Sequence, residues 1–174
     1  IWGRNIVRNF YNLNVLDTVC DLDEESLKTV KEQFPGVNVT KDFKDIINNK
    51  EITGVAVVTP SHTHFKMVKA MLEAGKNVYV EKPISTVADE AKVLTDLAEE
   101  KGLVLMVDHL LLYHPAVNRL KMLIEEGVLG ELVYAQSDRL NVNYHKNDRS
   151  VMWDLAPHDV SMIAYVTGKS PVKV

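Results

Sequence analysis

The chain has 174 residues, 46% of them hydrophobic, a length that supports one full core and the beginning of a second. Its formal net charge is -4, with the charges scattered. This argues against a nucleic-acid or membrane surface, and no apolar run approaches the roughly 20 residues of a membrane span.

The chain opens on Ile1-Trp2-Gly3-Arg4-Asn5-Ile6, which reads as the end of a nucleotide-binding turn entering a helix. Gly3 would be its last glycine, with the earlier two expected upstream; an ordinary loop glycine is the alternative. Residues 15–20 form a strand ending at Cys20-Asp21, and an acidic residue about 20 positions past such a turn takes ribose hydroxyls. Cys20, the single cysteine, reads as a core thiol, which fits a reducing cytoplasm. No Cys or His spacing resembles a zinc site, so no metal is expected.

Strand and helix signals then alternate with short connections, the pattern of a mostly parallel sheet covered on both faces. A helix over Glu24 to Phe34 stops at Pro35-Gly36, a short strand follows over Val37 to Thr40, and Asp42 begins a short helix. Gly54 to Thr59 lacks polar alternation and reads as a buried strand. The helix over Thr63 to Ala74 is closed by Gly75, and Asn77 to Val80 returns as a strand. A helix over Thr86 to Glu100 stops at Gly102, before a strand over Leu103 to Val107. A second region starts near Asp108. Pro115 opens a helix there, Leu132 to Gln136 reads as a strand, and a last helix holds Trp153 to Val166 and ends at Gly168. Residues 171–174 read as half of a further strand, so both ends look cut.

Three segments carry candidate chemistry. Glu81-Lys82-Pro83 lies just past the carboxyl end of a strand, where open parallel sheets place their ligands, and Pro83 restricts the backbone of Lys82. A surface ion pair beside a turn proline is the plain alternative. Asp154 and His158, four apart on one helical face, suit a general base and the carboxylate that orients it. The alternatives are a cap at Asp154, with Pro157 tolerated in the first turn, and a core histidine. Thr59-Pro60-Ser61-His62-Thr63-His64 enters a helix from a buried strand, so its hydroxyls and amides could meet a cofactor, with capping by Ser61 or Thr63 as the competitor. In the polar stretch 141–149, Lys146 and Arg149 could hold a diphosphate or carboxylate, or simply be solvated.

Together, Trp2-Gly3-Arg4-Asn5, Asp21, Thr59-Pro60 with His64, Glu81-Lys82-Pro83, and Asp154 with His158 resemble the glucose-fructose oxidoreductase and inositol dehydrogenase family of nicotinamide-dependent sugar and polyol oxidoreductases. The resemblance implies an α/β fold, a Rossmann-type doubly wound parallel sheet lacking its first strand in this chain. This cofactor domain would cover 1–108, and residues 109–174 would begin an α+β substrate domain whose open sheet often forms the subunit interface, so a homo-oligomer is expected. It implies that Trp2, Gly3, Asp21, Thr59, Pro60, His64, Glu81 and Lys82 serve the cofactor. Lys82 would lie between nicotinamide and substrate, and Asp154 and His158 would complete the catalytic group.

Asp21 favours NAD over NADP, because its carboxylate bonds ribose hydroxyls and repels a 2′-phosphate. Residues 153–159 look most like the branch that oxidises C3 of nucleotide-linked amino sugars such as UDP-N-acetylglucosamine or its uronate. On that reading Lys146 and Arg149 join Lys82 and His158 in binding substrate. Reduction of a small aldehyde, ketone or imine, and a non-catalytic nicotinamide-binding regulatory role, stay open as other readings.

Overall fold

A computed structural model describes residues 2–139 and 150–173, which fall into two compact units, Ile1–Val107 and Asp108–Val174. In the first unit, helix α1 (Trp2–Asn12) places Gly3 in its first turn, and β1 (Thr18–Cys20) follows. Helix α2 (Glu24–Gln33) is capped by Asp23, whose side chain accepts from the Ser26 amide at 3.0 Å, and carries Glu24 and Glu25 where the helix dipole favours anions. Next come β2 (Asn38–Thr40), α3 (Phe43–Asn48), capped by Asp42, and β3 (Gly54–Val57). Helix α4 (Ser61–Glu73), β4 (Asn77–Val80), α5 (Ala88–Glu100) and β5 (Leu105–Val107) complete the unit.

All strand pairs are parallel, as expected of strands joined through helices. β1 pairs with β2 in the register Val19 to Val39, while β4 lies between β3 and β5, with Tyr79 opposite Ala56 and Met106. Among the described residues no strand joins the two groups, so the sheet runs as two-stranded and three-stranded pieces. A single apolar core nevertheless serves them. Val57, Val78 and Val80 from the strands meet Val68, Met71 and Leu72 of α4, Leu94 and Ala98 of α5 and Ile46 of α3, with Cys20 packed against the cluster. β-branched residues on the strands and Leu or Met at helical spacing give the interlocking surfaces that such packing requires.

Several expected boundaries move for one physical reason. Val15 was expected to open the first strand, but its amide donates to the Phe10 carbonyl at 3.1 Å and closes α1, with Asn14 at φ 56. Leu103 likewise donates to Ala98 and closes α5, with Gly102 at φ 63, so β5 starts two residues later. In each case a left-handed residue lets the next amide reach back to an orphan helix carbonyl, which takes that amide from the sheet.

The second unit contains a 3-10 turn (Leu110–Tyr113), α6 (Pro115–Glu125) and α7 (Val151–Thr167). Lys121 of α6 lies 4.8 Å from the centre of the Tyr165 ring on α7, and the Tyr165 hydroxyl donates to Asn118 at 2.7 Å. Helix α7 stops at Gly168, φ 65. Leu132 to Gln136, expected as a strand, makes no ladder here: its apolar side chains are exposed, and no neighbouring strand lies among the described residues. Among those residues no helix is long and apolar enough to cross a membrane.

Candidate functional site

In the first unit the candidate residues gather where the strands end. Asp21 follows β1, is exposed, and accepts the Asp23 amide at 2.9 Å through Oδ1, so a local turn holds the carboxylate. The ladder carries on one rung past each strand, through the Asp21 amide to Thr40 (3.2 Å) and the Glu81 amide to Val57 (3.0 Å). That second rung places Glu81 and Lys82 beside the end of β3, from which Thr59 and Pro60 lead into α4. The Lys82-Pro83 peptide is cis.

The competing reading, capping of α4 by Ser61 or Thr63, is not what the structure has. The helix begins at Ser61 with Pro60 in the cap position and no side-chain acceptor there. The Thr63 hydroxyl instead donates to the Pro60 carbonyl at 2.7 Å and meets the Thr59 hydroxyl at 2.6 Å. A helix start without a side-chain cap, directly after a parallel strand, suits an anionic ligand.

His64 is 1% exposed, with Nδ1 2.8 Å from the Pro83 carbonyl and Nε2 2.8 Å from the Thr59 carbonyl. Its ring, which the resemblance assigned to the cofactor, instead has both nitrogens against protein carbonyls and joins the two strand-end loops. Ser85 extends the same brace: its hydroxyl accepts the Val87 amide at 3.0 Å and is hydrogen-bonded to the Glu90 carboxylate. Glu90 also lies in the first turn of α5, where the helix dipole favours an anion. The separation of Ser85 and Glu90 by five positions across a helix start was the signal for this contact.

Burial first, then the charges of Asp21, Asp42 and Asp45, push the Cys20 thiol up. The thiol therefore stays protonated, as a core residue would, and it reports negative potential at the end of β1.

In the second unit, Asp154 and His158 both lie on α7, four residues apart and half-buried. Ser150, rather than Asp154, is the cap. Pro157 lies inside the helix rather than in its first turn, so the Trp153 carbonyl lacks the amide it would have received from residue 157. Asp159, given no role from the sequence, accepts from Arg139 Nε at 3.0 Å and from the Ser137 hydroxyl at 2.7 Å, tying the segment before residue 140 to α7. Lys146 and Arg149 lie outside the described residues.

The residues present fit a dinucleotide. A held carboxylate ends β1, and a helix start without a side-chain cap follows β3. The fold and these strand ends define an α/β nucleotide-binding protein of the Rossmann type. The chain belongs to the oxidoreductase family with an NAD-binding Rossmann fold, whose pattern matches residues 3–109. That family's NAD-binding Rossmann fold is the architecture of the first unit.

Among its relatives, the uncharacterized oxidoreductase YdgJ of Escherichia coli (strain K12) is 38% identical over 138 residues, 74% of this chain and 40% of the relative. UDP-N-acetylglucosamine 3-dehydrogenase of Acidithiobacillus ferrooxidans is 33% identical over 125 residues, 71% of this chain and 39% of the relative. The solved structure of levoglucosan dehydrogenase, in complex with NADH and levoglucosan, has a TM-score of 0.71 and 27% identity, covering 86% of this chain and 44% of that one. The chain thus spans about two fifths of the curated relatives it matches. These relatives place it in the family without selecting a branch.

Proposed function

We propose that the protein is an NAD-dependent dehydrogenase that oxidises a secondary alcohol of a sugar, with residues 1–108 as its cofactor domain and 109–174 as the start of its substrate domain. The observation that carries this reading is the bracing of Lys82 at the carboxyl end of β4, beside the loop that leaves β3, in a family of oxidoreductases. Open parallel sheets bind their ligands at such strand ends.

A bound nicotinamide would supply the acceptor for the hydride of the alcohol carbon. His158 takes the hydroxyl proton, and Asp154 orients the imidazole and supports its charged form. Lys82 donates a hydrogen bond to the same oxygen as negative charge develops on it. Asp21 accepts from the ribose hydroxyls; Trp2, Gly3, Thr59, Pro60 and Glu81 serve the cofactor side. The finer reading is C3 of a nucleotide-linked amino sugar, with Lys146 and Arg149 on the diphosphate or a carboxylate. The named activity of the Acidithiobacillus relative supports it.

The test is NAD reduction by the intact protein with UDP-N-acetylglucosamine, its uronate, and free sugars and polyols, in wild type, Lys82→Ala and His158→Ala. Each substitution is expected to lower turnover by at least about 100-fold, the scale of a positioned proton-transfer group. Unchanged turnover in both variants would falsify the catalytic assignment. Reduction with free sugars alone would reject the nucleotide-sugar branch and leave the dehydrogenase standing.

A further inference from the structure

We propose that His64 is a positioning residue whose Nδ1–H donates to the Pro83 carbonyl, while its other ring nitrogen lies against the Thr59 carbonyl, and that it so fixes the backbone carrying Lys82. The inference rests on the reading of Lys82 as the residue that meets the reacting oxygen.

The ladder between β3 and β4 ends at the Glu81 amide, which donates to Val57 at 3.0 Å. Beyond that rung the two chains part, one entering α4 at Ser61 and the other running to α5 at Ala88. Lys82 is the first residue past the rung, so the sheet alone does not hold it. His64 supplies the next tie, with Nδ1 2.8 Å from the Pro83 carbonyl. The backbone of Lys82 therefore lies between two hydrogen bonds, one at the amide before it and one at the carbonyl after it.

A histidine that merely fills a core position needs one acceptor for its N–H and tolerates a donor at its other nitrogen. Here both partners are carbonyl oxygens, which only accept, and the ring is 1% exposed. A neutral imidazole carries one N–H and donates to only one of them, and the bond that bears on Lys82 is the one from Nδ1 to the Pro83 carbonyl. Asn and Gln hold both their hydrogens on one nitrogen, so each can reproduce only one end of the contact. Ser85 and Glu90 secure the far end of the same loop, so the latch works against a fixed point.

Two substitutions separate the ends of the latch. The amide nitrogen of Asn falls close to the place of Nδ1 and keeps the Pro83 bond, whereas that of Gln falls close to Nε2 and keeps only the Thr59 bond. A reacting group displaced by about 1 Å costs on the order of 100-fold in rate. His64→Gln is therefore expected to lower kcat by roughly 10- to 100-fold with the dissociation constant for NAD unchanged, and His64→Asn is expected to recover much of the loss. On a Lys82→Ala background the His64→Gln change should cost nothing more, because the residue being positioned is gone.

Wild-type kcat in folded His64→Gln, or an equal fractional loss in both backgrounds, overturns the latch. Unchanged turnover in Lys82→Ala alone marks failure of the underlying Lys82 assignment and is read without touching His64. If neither variant folds, side-chain 15N spectra of the wild-type protein decide. A hydrogen-bearing, exchange-protected Nδ1 on His64 is expected, and a bare Nδ1 overturns the proposal.

Discussion

On the proposed reading, Asp21 selects the cofactor through a single carboxylate at a strand end. It is held by the Asp23 amide at 2.9 Å, and with Asp42 and Asp45 it contributes negative potential that, after burial, raises the Cys20 thiol. A 2′-phosphate entering this region would meet like charge, whereas a ribose diol would find an acceptor. Asp21→Ala is expected to weaken NAD about tenfold or more, given roughly 1.5–3 kcal/mol for a hydrogen bond to a charged group. It should weaken NADP less, which titration of intrinsic fluorescence with each cofactor would measure. The same variant should move the alkylation of Cys20 to lower pH, because removing a neighbouring negative charge favours the thiolate. An unchanged ratio of NAD to NADP affinity would reject the selective role of Asp21.

At the scale of elements, helix α2 provides a pH test. The Ser26 hydroxyl and amide hold the Asp23 carboxyl below its ordinary value of 3.8. A carboxyl depressed in the folded state stabilises the fold above its unfolded value, and that contribution fades as pH falls through the folded value. Asp23→Ala should therefore lower Tm at neutral pH, and the gap from wild type should close below about pH 4. A gap that stays constant down to pH 2 would mean that the cap acts through something other than its charge. The helices were largely legible because caps such as Asp23 and Asp42 and stops such as Gly75 and Gly168 are local signals. The strands were less so: Val15 and Leu103 look like strand residues, but their amides close the preceding helices. Leu132 to Gln136 has strand composition yet lacks a neighbour to pair with among the described residues. Strand formation depends on such a partner, which a local pattern does not reveal.

Over the whole molecule, alternating elements made the fold class legible, and the positions of Asp21, Thr59 and Lys82 followed from strand ends. The ties between those ends were not legible, because a bond from His64 to Pro83 joins side chain to backbone across nineteen positions and leaves no periodic trace. The core beneath the site and the ligand above it should act on one stability. Leu94 is 0% exposed on α5, and Leu94→Ala is expected to cost about 2–5 kcal/mol through lost burial and the cavity left behind. A ligand that binds only the folded state at 100 times its dissociation constant returns about 2.7 kcal/mol. NAD at that level should thus raise the Tm of the intact wild-type protein by roughly 5–11 °C, at about 2–4 °C per kcal/mol for a domain of this size. It should offset much of the Leu94→Ala loss, because the core change leaves the strand-end residues in place. Thermal denaturation with and without NAD, in both proteins, measures this directly. No shift in wild type with either NAD or NADP would reject the cofactor assignment, and a shift in wild type that vanishes in Leu94→Ala would show that α5 packing is needed to hold the site together.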